Sequence, residues 1–165
     1  MEKRDKNTMI RNLKKSEIKL ASDLADSIYP KELEESFETF ENKFLFYPAG
    51  FLGYFIDGKL IGYIVGHSWK GNDLVPLNYV IKEIKNPDGF YIHDVAISPE
   101  YQGRGYGKEL MKAIIELAIK EGFRKFLLVA VNEKSKGMIE KFGFKVSNKL
   151  EYSPGIIGYK MIKEI

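Results

Sequence analysis

The residues with the clearest chemical potential lie mid-chain, where Gln102-Gly103-Arg104-Gly105-Tyr106-Gly107-Lys108 follows Ser98-Pro99-Glu100-Tyr101 and opens an amphipathic run. Glycines at alternate positions let successive backbone N–H groups turn inward with no Cβ in the way. The first N–H groups of a helix have no intrahelical partner and sit at the positive end of its dipole. Loop and helix start together form an anion site, and the chemistry on offer is phosphate or pyrophosphate binding. Taken alone, three glycines would equally make a tight turn. Two phosphate loops are excluded by spacing. A Walker loop needs four residues between Gly and Gly-Lys followed by Ser or Thr, whereas Gly103 and Gly107 are separated by three residues and Lys108 is followed by Glu109. A dinucleotide fingerprint runs G-x-G-x-x-G, and these glycines run G-x-G-x-G.

The elements that must position this loop can be read from period and punctuation. Residues 8–13 suit a first strand. Ser16 reads as the N-cap of a helix to Ile28, with Ala21, Leu24, Ala25 and Ile28 on one face. After Pro30 a second helix is expected over 31–44, where Leu33, Phe37, Phe40 and Phe44 recur at helical spacing as a core-packing stripe. Asp57-Gly58 between β-formers predicts a hairpin of strands 51–56 and 60–69. Residues 70–89 form a long connection with room for a short helix, and long connections are often functional. A strand over 90–97, a helix over 105–121 ended by Gly122, and an apolar strand over 126–131 make a strand–helix–strand unit with parallel pairing. The helix buries Leu110, Met111, Ile114, Ile115, Leu117 and Ala118. Asn132 or Ser135 opens a further helix closed by Gly143, and strands 144–151 and 156–162 complete the chain. On strand 90–97, alternation places Tyr91, His93, Val95 and Ile97 on one face and Asp94 on the other. Asp94 and His67 read as structural.

Composition bounds the rest. The chain has 165 residues, enough for one domain, expected over 1–165 with 1–6 as a loose end. There is no cysteine, so no disulfide, Cys-based metal site or thiol nucleophile is available, and no metal is expected. Net charge is +3, compatible with an anionic small molecule. Lys and Glu interleave along the helices, so no nucleic-acid partner is suggested. The polar N-terminus carries no apolar stretch of signal-peptide length, and no segment approaches the roughly 20 apolar residues of a membrane span. The expectation is a cytoplasmic protein with no membrane partner.

The pattern Gln102-x-x-Gly105-x-Gly107 resembles the acetyl-CoA signature Q/R-x-x-G-x-G/A of the GNAT superfamily of N-acetyltransferases. The preceding Val95-Ala96-Ile97-Ser98-Pro99-Glu100-Tyr101 and the downstream Asn132-x-x-Ser135 with Glu140-Lys141-Phe142-Gly143-Phe144 resemble that family as well. The resemblance spans roughly residues 51–162. It implies a mixed α/β (α+β) GNAT fold: a mostly antiparallel sheet of six to seven strands, one splayed parallel pair, and about four flanking helices. It also implies that the backbone N–H groups of residues 103–108 hold a pyrophosphate, including those of Gly103, Arg104, Gly105, Tyr106, Gly107 and Lys108. The backbone of Val95, Ala96 and Ile97 would pair with the pantetheine amides as an added strand does. Arg104, Lys108 and Lys136 are candidate supporting cations, with solvated surface charge as the alternative. Asn132 would contact the pantetheine arm, cap its helix, or both.

With no cysteine, the implied reaction is direct attack of a primary amine on the acetyl-CoA thioester in a ternary complex. A primary amine near pKa ~10 is mostly protonated at neutral pH, so a base must take its proton. His93, two residues before the pantetheine-binding backbone and with an ordinary pKa of ~6.5, is the candidate. The arrangement is similar to that in serotonin N-acetyltransferases, which carry a histidine at the matching position and a second one where this chain has Tyr91. The other reading is a core histidine satisfied by a backbone carbonyl. Many members of the family have a tyrosine acid four residues before the Gly-Phe pair; here that position is Ile139, leaving Tyr152, Tyr91, Tyr106 or water. The acceptor site is expected among Trp69, Leu77, Asn78, Tyr79 and Tyr152. A protein lysine or N-terminal acetyltransferase, and a non-catalytic acyl-CoA sensor suggested by Ile139, are the alternatives. A monomer or a homodimer is compatible with the chain.

Overall fold

Asp57 and Gly58 both adopt left-handed backbone conformations (φ 49° and 80°), as a tight hairpin turn demands. They fold β2 (Phe51–Ile56) onto β3 (Lys59–Trp69). In the computed structural model, which describes residues 7–165, this hairpin is the nucleus of a seven-stranded sheet. β1 (Thr8–Asn12) pairs with β2, and β4 (Gly89–Ile97) pairs with β3, both antiparallel. Beyond β4 come β5 (Lys125–Ala130), β7 (Ile156–Glu164) and β6 (Lys145–Ser153). Among the described residues only β4 and β5 run parallel. The expectation for residues 1–6 lies outside the described residues.

Helices cover both faces. On one face α3 (Tyr106–Lys120) buries Leu110, Met111, Ile114, Ile115 and Ala118 against β2–β5, joined by Ile139 of α4 (Glu133–Glu140). Full burial of such side chains is worth roughly 1.5–3 kcal/mol each. The inner face of α3 therefore fixes the start of the helix firmly although the glycine loop before it is exposed. On the other face α1 (Ile18–Ile28) and α2 (Phe37–Phe46) pack Ile18, Ala21, Ala25 and Phe40 on Phe51, Phe55, Tyr63 and Val65.

Three local expectations are corrected. Ser16 is not an N-cap: it lies in a 3-10 turn, Lys15–Glu17, and the Glu17 carboxylate accepts from the Lys14 N–H and from Arg11, both at 2.8 Å. The helix expected over 31–44 is a 3-10 turn, Lys31–Leu33, followed by an extended break at Glu34. α2 begins after that break, with Ser36 accepting from the Thr39 N–H as its N-cap. The connection 70–89 carries no helix. Side chains hold it instead. Asn42 bonds both the N–H and the carbonyl of Ile81, at 2.8 and 2.9 Å, and Val75 and Ile81 are buried with Trp69, Tyr91 and Leu127.

Candidate active site

Strands β4 and β5 pair only at Phe90–Phe126 and Tyr91–Leu127, then separate while β4 continues to Ile97 and β5 to Ala130. The split opens a cavity of about 120 Å³. Its walls include Ile92, His93, Asp94 and Val95 of β4, Leu128 and Ala130 of β5, and Met138 and Ile139 of α4. Tyr29, Glu35, Leu77 and Tyr152 close the other side.

The open edge of β4 follows from its bonding to β3. Ser98 N–H donates to the Ile61 carbonyl at 2.7 Å. Two-residue alternation then turns the Ala96 backbone toward β3 as well and the Val95 and Ile97 backbones toward the split. Consistently, Tyr29 Oη donates to the Val95 carbonyl at 2.9 Å and Gln102 Nε2 to the Ile97 carbonyl at 2.9 Å. Each carbonyl retains a second lone pair. This corrects the sequence reading at two positions: the Ala96 backbone is committed to β3, and the Gln102 side chain clips the loop to the strand.

At the glycine loop, Gly103 and Gly105 take φ of 78° and 86°, and a Cβ at either would meet open space. The loop therefore keeps glycine for backbone conformation. Among the described residues, the N–H groups of Gly103, Gly105, Gly107 and Lys108 donate to no protein acceptor. That donor set suits a diphosphate. The Tyr106 side chain points away from the loop, its ring buried against Tyr54 at 4.7 Å. Arg104 lies exposed with its guanidinium over the Tyr101 ring at 5.4 Å, and Lys108 is exposed on the first turn of α3. Lys136 is different: it pairs with Glu133 at 3.8 Å and Glu140 at 3.5 Å and lies over Tyr159, outside the cavity wall. The i,i+3 and i,i+4 spacing of those carboxylates explains its orientation. Asn132 caps α4 by accepting from the Ser135 N–H at 2.8 Å.

His93 occupies a β-bulge. Val65 opposes Asp94 and Gly66 opposes Ile92, so His93 is the extra residue. The bulge overturns the expected alternation. Val95 and Ile97 pack with the α3 core, whereas Tyr91, His93 and Asp94 all face the α1–α2 side. Asp94, expected on the opposite face, is adjacent to His93 and accepts from the phenols of Tyr29 and Tyr63. Burial pushes its carboxyl upward against the pull of those two hydrogen bonds and of His93.

The partner of His93 was not anticipated from sequence. Its Nε2 lies 2.8 Å from Glu35 Oε1, with both side chains under a tenth exposed. Glu35 Oε2 accepts from Lys43 Nζ at 3.4 Å and from the Asn78 N–H at 3.0 Å. Burial opposes the charge of Glu35, but attraction to His93, their hydrogen bond, Lys43 and the Asn78 amide prevail and hold it at about 2. A carboxylate only accepts, so Nε2 carries the proton, and in the neutral form of the ring the lone pair lies on Nδ1. Nδ1 is buried and, among the described residues, has no hydrogen-bond partner. The available signal was Lys43 itself, a charge set between Phe40 and Phe44 on an apolar helix face, which required a buried counter-ion.

His67 donates Nδ1–H to the Ser68 carbonyl at 3.0 Å, and burial, then His93, pushes it down to about 3. Of the three tyrosines considered as an acid, only Tyr152 lines the cavity. Burial, then Tyr91, Glu35 and Asp94, drives its phenol well above the usual range. Tyr91 is buried with Trp69 and Val75. Of the expected acceptor-site residues, Leu77 joins Tyr152 in the wall, Asn78 holds Ser36 and Glu35, and Tyr79 is exposed beside Trp69.

Comparison with known proteins places this geometry. A thialysine N-epsilon-acetyltransferase of Mus musculus is 27% identical over 84 residues, 51% of this chain and 49% of the relative. A glucosamine 6-phosphate N-acetyltransferase of Trypanosoma brucei brucei is 36% identical over 59 residues, 36% of this chain and 40% of the relative. The chain thus matches about half or less of the length of these curated relatives. The crystal structure of Ard1 from Thermoplasma volcanium shares the fold, with a TM-score of 0.78 at 19% identity, covering 96% of this chain and 97% of that one. A model of the acetyltransferase (GNAT) family matches residues 18–144, and the chain belongs to that family.

Proposed function

We propose that this protein moves an acetyl group from acetyl-CoA to the primary amine of a small molecule, by direct attack in a ternary complex with His93 as general base. The observation that carries this reading is a histidine in the cavity wall where β4 and β5 part, bonded through Nε2 to a buried carboxylate with its other nitrogen unpartnered. The backbone N–H groups of Gly103, Gly105, Gly107 and Lys108 hold the diphosphate, with Arg104 and Lys108 as nearby cations. The Val95 and Ile97 backbones face the pantetheine arm. Bound acetyl-CoA supplies an activated acyl group. At neutral pH roughly one part in a thousand of a free alkyl amine is unprotonated. His93 Nδ1 takes the amine's proton, directly or through a water entering with it, and contributes roughly 10²–10⁴-fold. Tyr152, kept protonated by its surroundings, donates to the departing thiolate.

Ser153 Oγ in the β6–β7 hairpin, next to the wall residue Tyr152, donates at 2.7 Å to the carbonyl of Glu32, next to the wall residue Leu33, and ties those two segments together. A tie beside the cavity suits a small amine better than an extended peptide. Two curated relatives are likewise named for small amino compounds. The histidine position agrees with the serotonin N-acetyltransferase type of site.

The test is release of free CoA thiol with acetyl-CoA and a panel of small amines and peptides. Turnover on a small amine, lowered at least ~10²-fold in kcat by His93→Gln with acetyl-CoA affinity kept, is expected. Turnover on peptides alone would establish the protein acetyltransferase alternative. Thermal stabilisation by acetyl-CoA with no turnover on either would establish a sensor.

A further inference from the structure

We propose that Glu35 and Lys43 form a charge-balanced buried pair that positions His93: Glu35 fixes its proton on Nε2, and Lys43 offsets the carboxylate so that Nδ1 stays free to take a proton. The inference rests on reading His93 as the base. All three side chains are buried, His93 and Lys43 at 3% exposure and Glu35 at 8%. The two carboxylate oxygens are divided, Oε1 to His93 and Oε2 to Lys43 and the Asn78 amide. A lone buried carboxylate at hydrogen-bond distance favours the imidazolium. A base already protonated cannot accept the amine's proton. A cation on the second oxygen makes the pair neutral overall and keeps the hydrogen bond that orients the ring.

Of the other groups around His93, Asp94 also attracts His93 and Lys43, and the rest carry no charge. Asp94, next along β4, is enclosed by the phenols of Tyr29 and Tyr63, and burial works against its charge. His67 on β3, its ring 6.1 Å away, is kept neutral by burial. Tyr91, 5.9 Å away, is pushed up to about 12 by burial, and Tyr152 is pushed up as well; both remain uncharged. On α2, Lys43 is held down by burial and pulled back up by Glu35. Glu35 itself arrives from the break before α2, the same break that interrupts the helix expected over 31–44.

The experiment is an NMR titration of ring-labelled His93 in the full chain, beside the pH dependence of kcat/KM. Wild-type nitrogen shifts are expected to show the proton on Nε2; a neutral ring protonated on Nδ1 overturns the proposal. Glu35→Gln lowers the His93 midpoint and Lys43→Met raises it, each by about one pH unit. The acid limb of kcat/KM moves in the same two directions. Midpoints that stay within about 0.3 unit of wild type, or that move the same way in both variants, mean a structural pair and overturn the proposal. If Lys43→Met does not fold, Glu35→Gln alone decides by the fall or constancy of its midpoint. Opposite shifts in the NMR midpoints without a matching move of the rate limb would uphold the pair's effect on His93 and remove His93 as the base.

Discussion

Two regions of the molecule are built from different materials. The proposed cofactor end is backbone: glycines at positive φ, N–H groups at the start of α3, and the open edge of β4. The proposed acceptor end is side chains: His93, Glu35, Lys43 and Asp94, buried and brought together from β4, the segment before α2, and α2. Main-chain donors bind a diphosphate whatever the neighbouring side chains are, and so tolerate an exposed loop. Proton transfer needs defined tautomers and charges, which only an enclosed network holds. The comparison predicts that changes at one end alter binding and changes at the other alter rate.

Substitutions can break or sharpen that division, taken from the largest expected effect downward. His93→Gln keeps a donor for Glu35 but cannot serve as the base; kcat is expected to fall about 10²–10⁴-fold with acetyl-CoA affinity nearly unchanged, read by thiol release and calorimetry. Gly105→Val sets a β-branched residue at φ 86°, a conformation costing of order 1–3 kcal/mol. Affinity for acetyl-CoA should fall about 10- to 100-fold, and kcat at saturation should change far less, since the strain falls on the donor loop and not on His93. Tyr152→Phe should lower kcat by about tenfold without a matching change in acetyl-CoA binding, because a thiolate is a tolerable leaving group and the acid contributes less than the base. Ser153→Ala removes one neutral hydrogen bond of about 1 kcal/mol between two segments beside the cavity. It should alter KM for the amine by a few-fold and relax the preference for small acceptors, seen by comparing amines of increasing size.

Acid stability gives a further contrast between the two ends. Glu35 folds with its pKa lowered to about 2, so its stabilisation is complete above the unfolded value near 4.5 and is lost as pH falls toward 2. His67 folds with its pKa lowered to about 3, so the unfolded chain gains a proton first and stability declines from about pH 6.5 down to about 3. Urea unfolding at stepped pH is expected to show a slope beginning below about 6.5, and His67→Gln should flatten its upper part. The glycine loop, residues 102–108, holds no carboxylate and no histidine.

Particular residues show how far the sequence could be read. The hairpin at Asp57-Gly58, the face of α3 and the Asn132 cap were legible because each rests on contacts a few residues apart. The turn conformation of the glycine loop was legible for the same reason, with Gly103 and Gly105 at positive φ beside a helix start. Lys136, offered as a supporting cation or as surface charge, pairs with two carboxylates one turn away, which glycine and cation spacing alone did not foretell. Asp94 was misplaced because one bulged residue reverses the alternation of a strand, and nothing local to β4 marks it.

By itself, the sequence determined the order of the strands and main helices and the turns between several of them, which follow from local period and turn chemistry. Only the tertiary structure decided that His93 meets Glu35 across 58 positions, that Lys43 balances them, and that Tyr29 reaches Asp94 and Val95. The physical reason is that buried charges must find partners wherever packing brings them, and packing joins residues without regard to their separation along the chain.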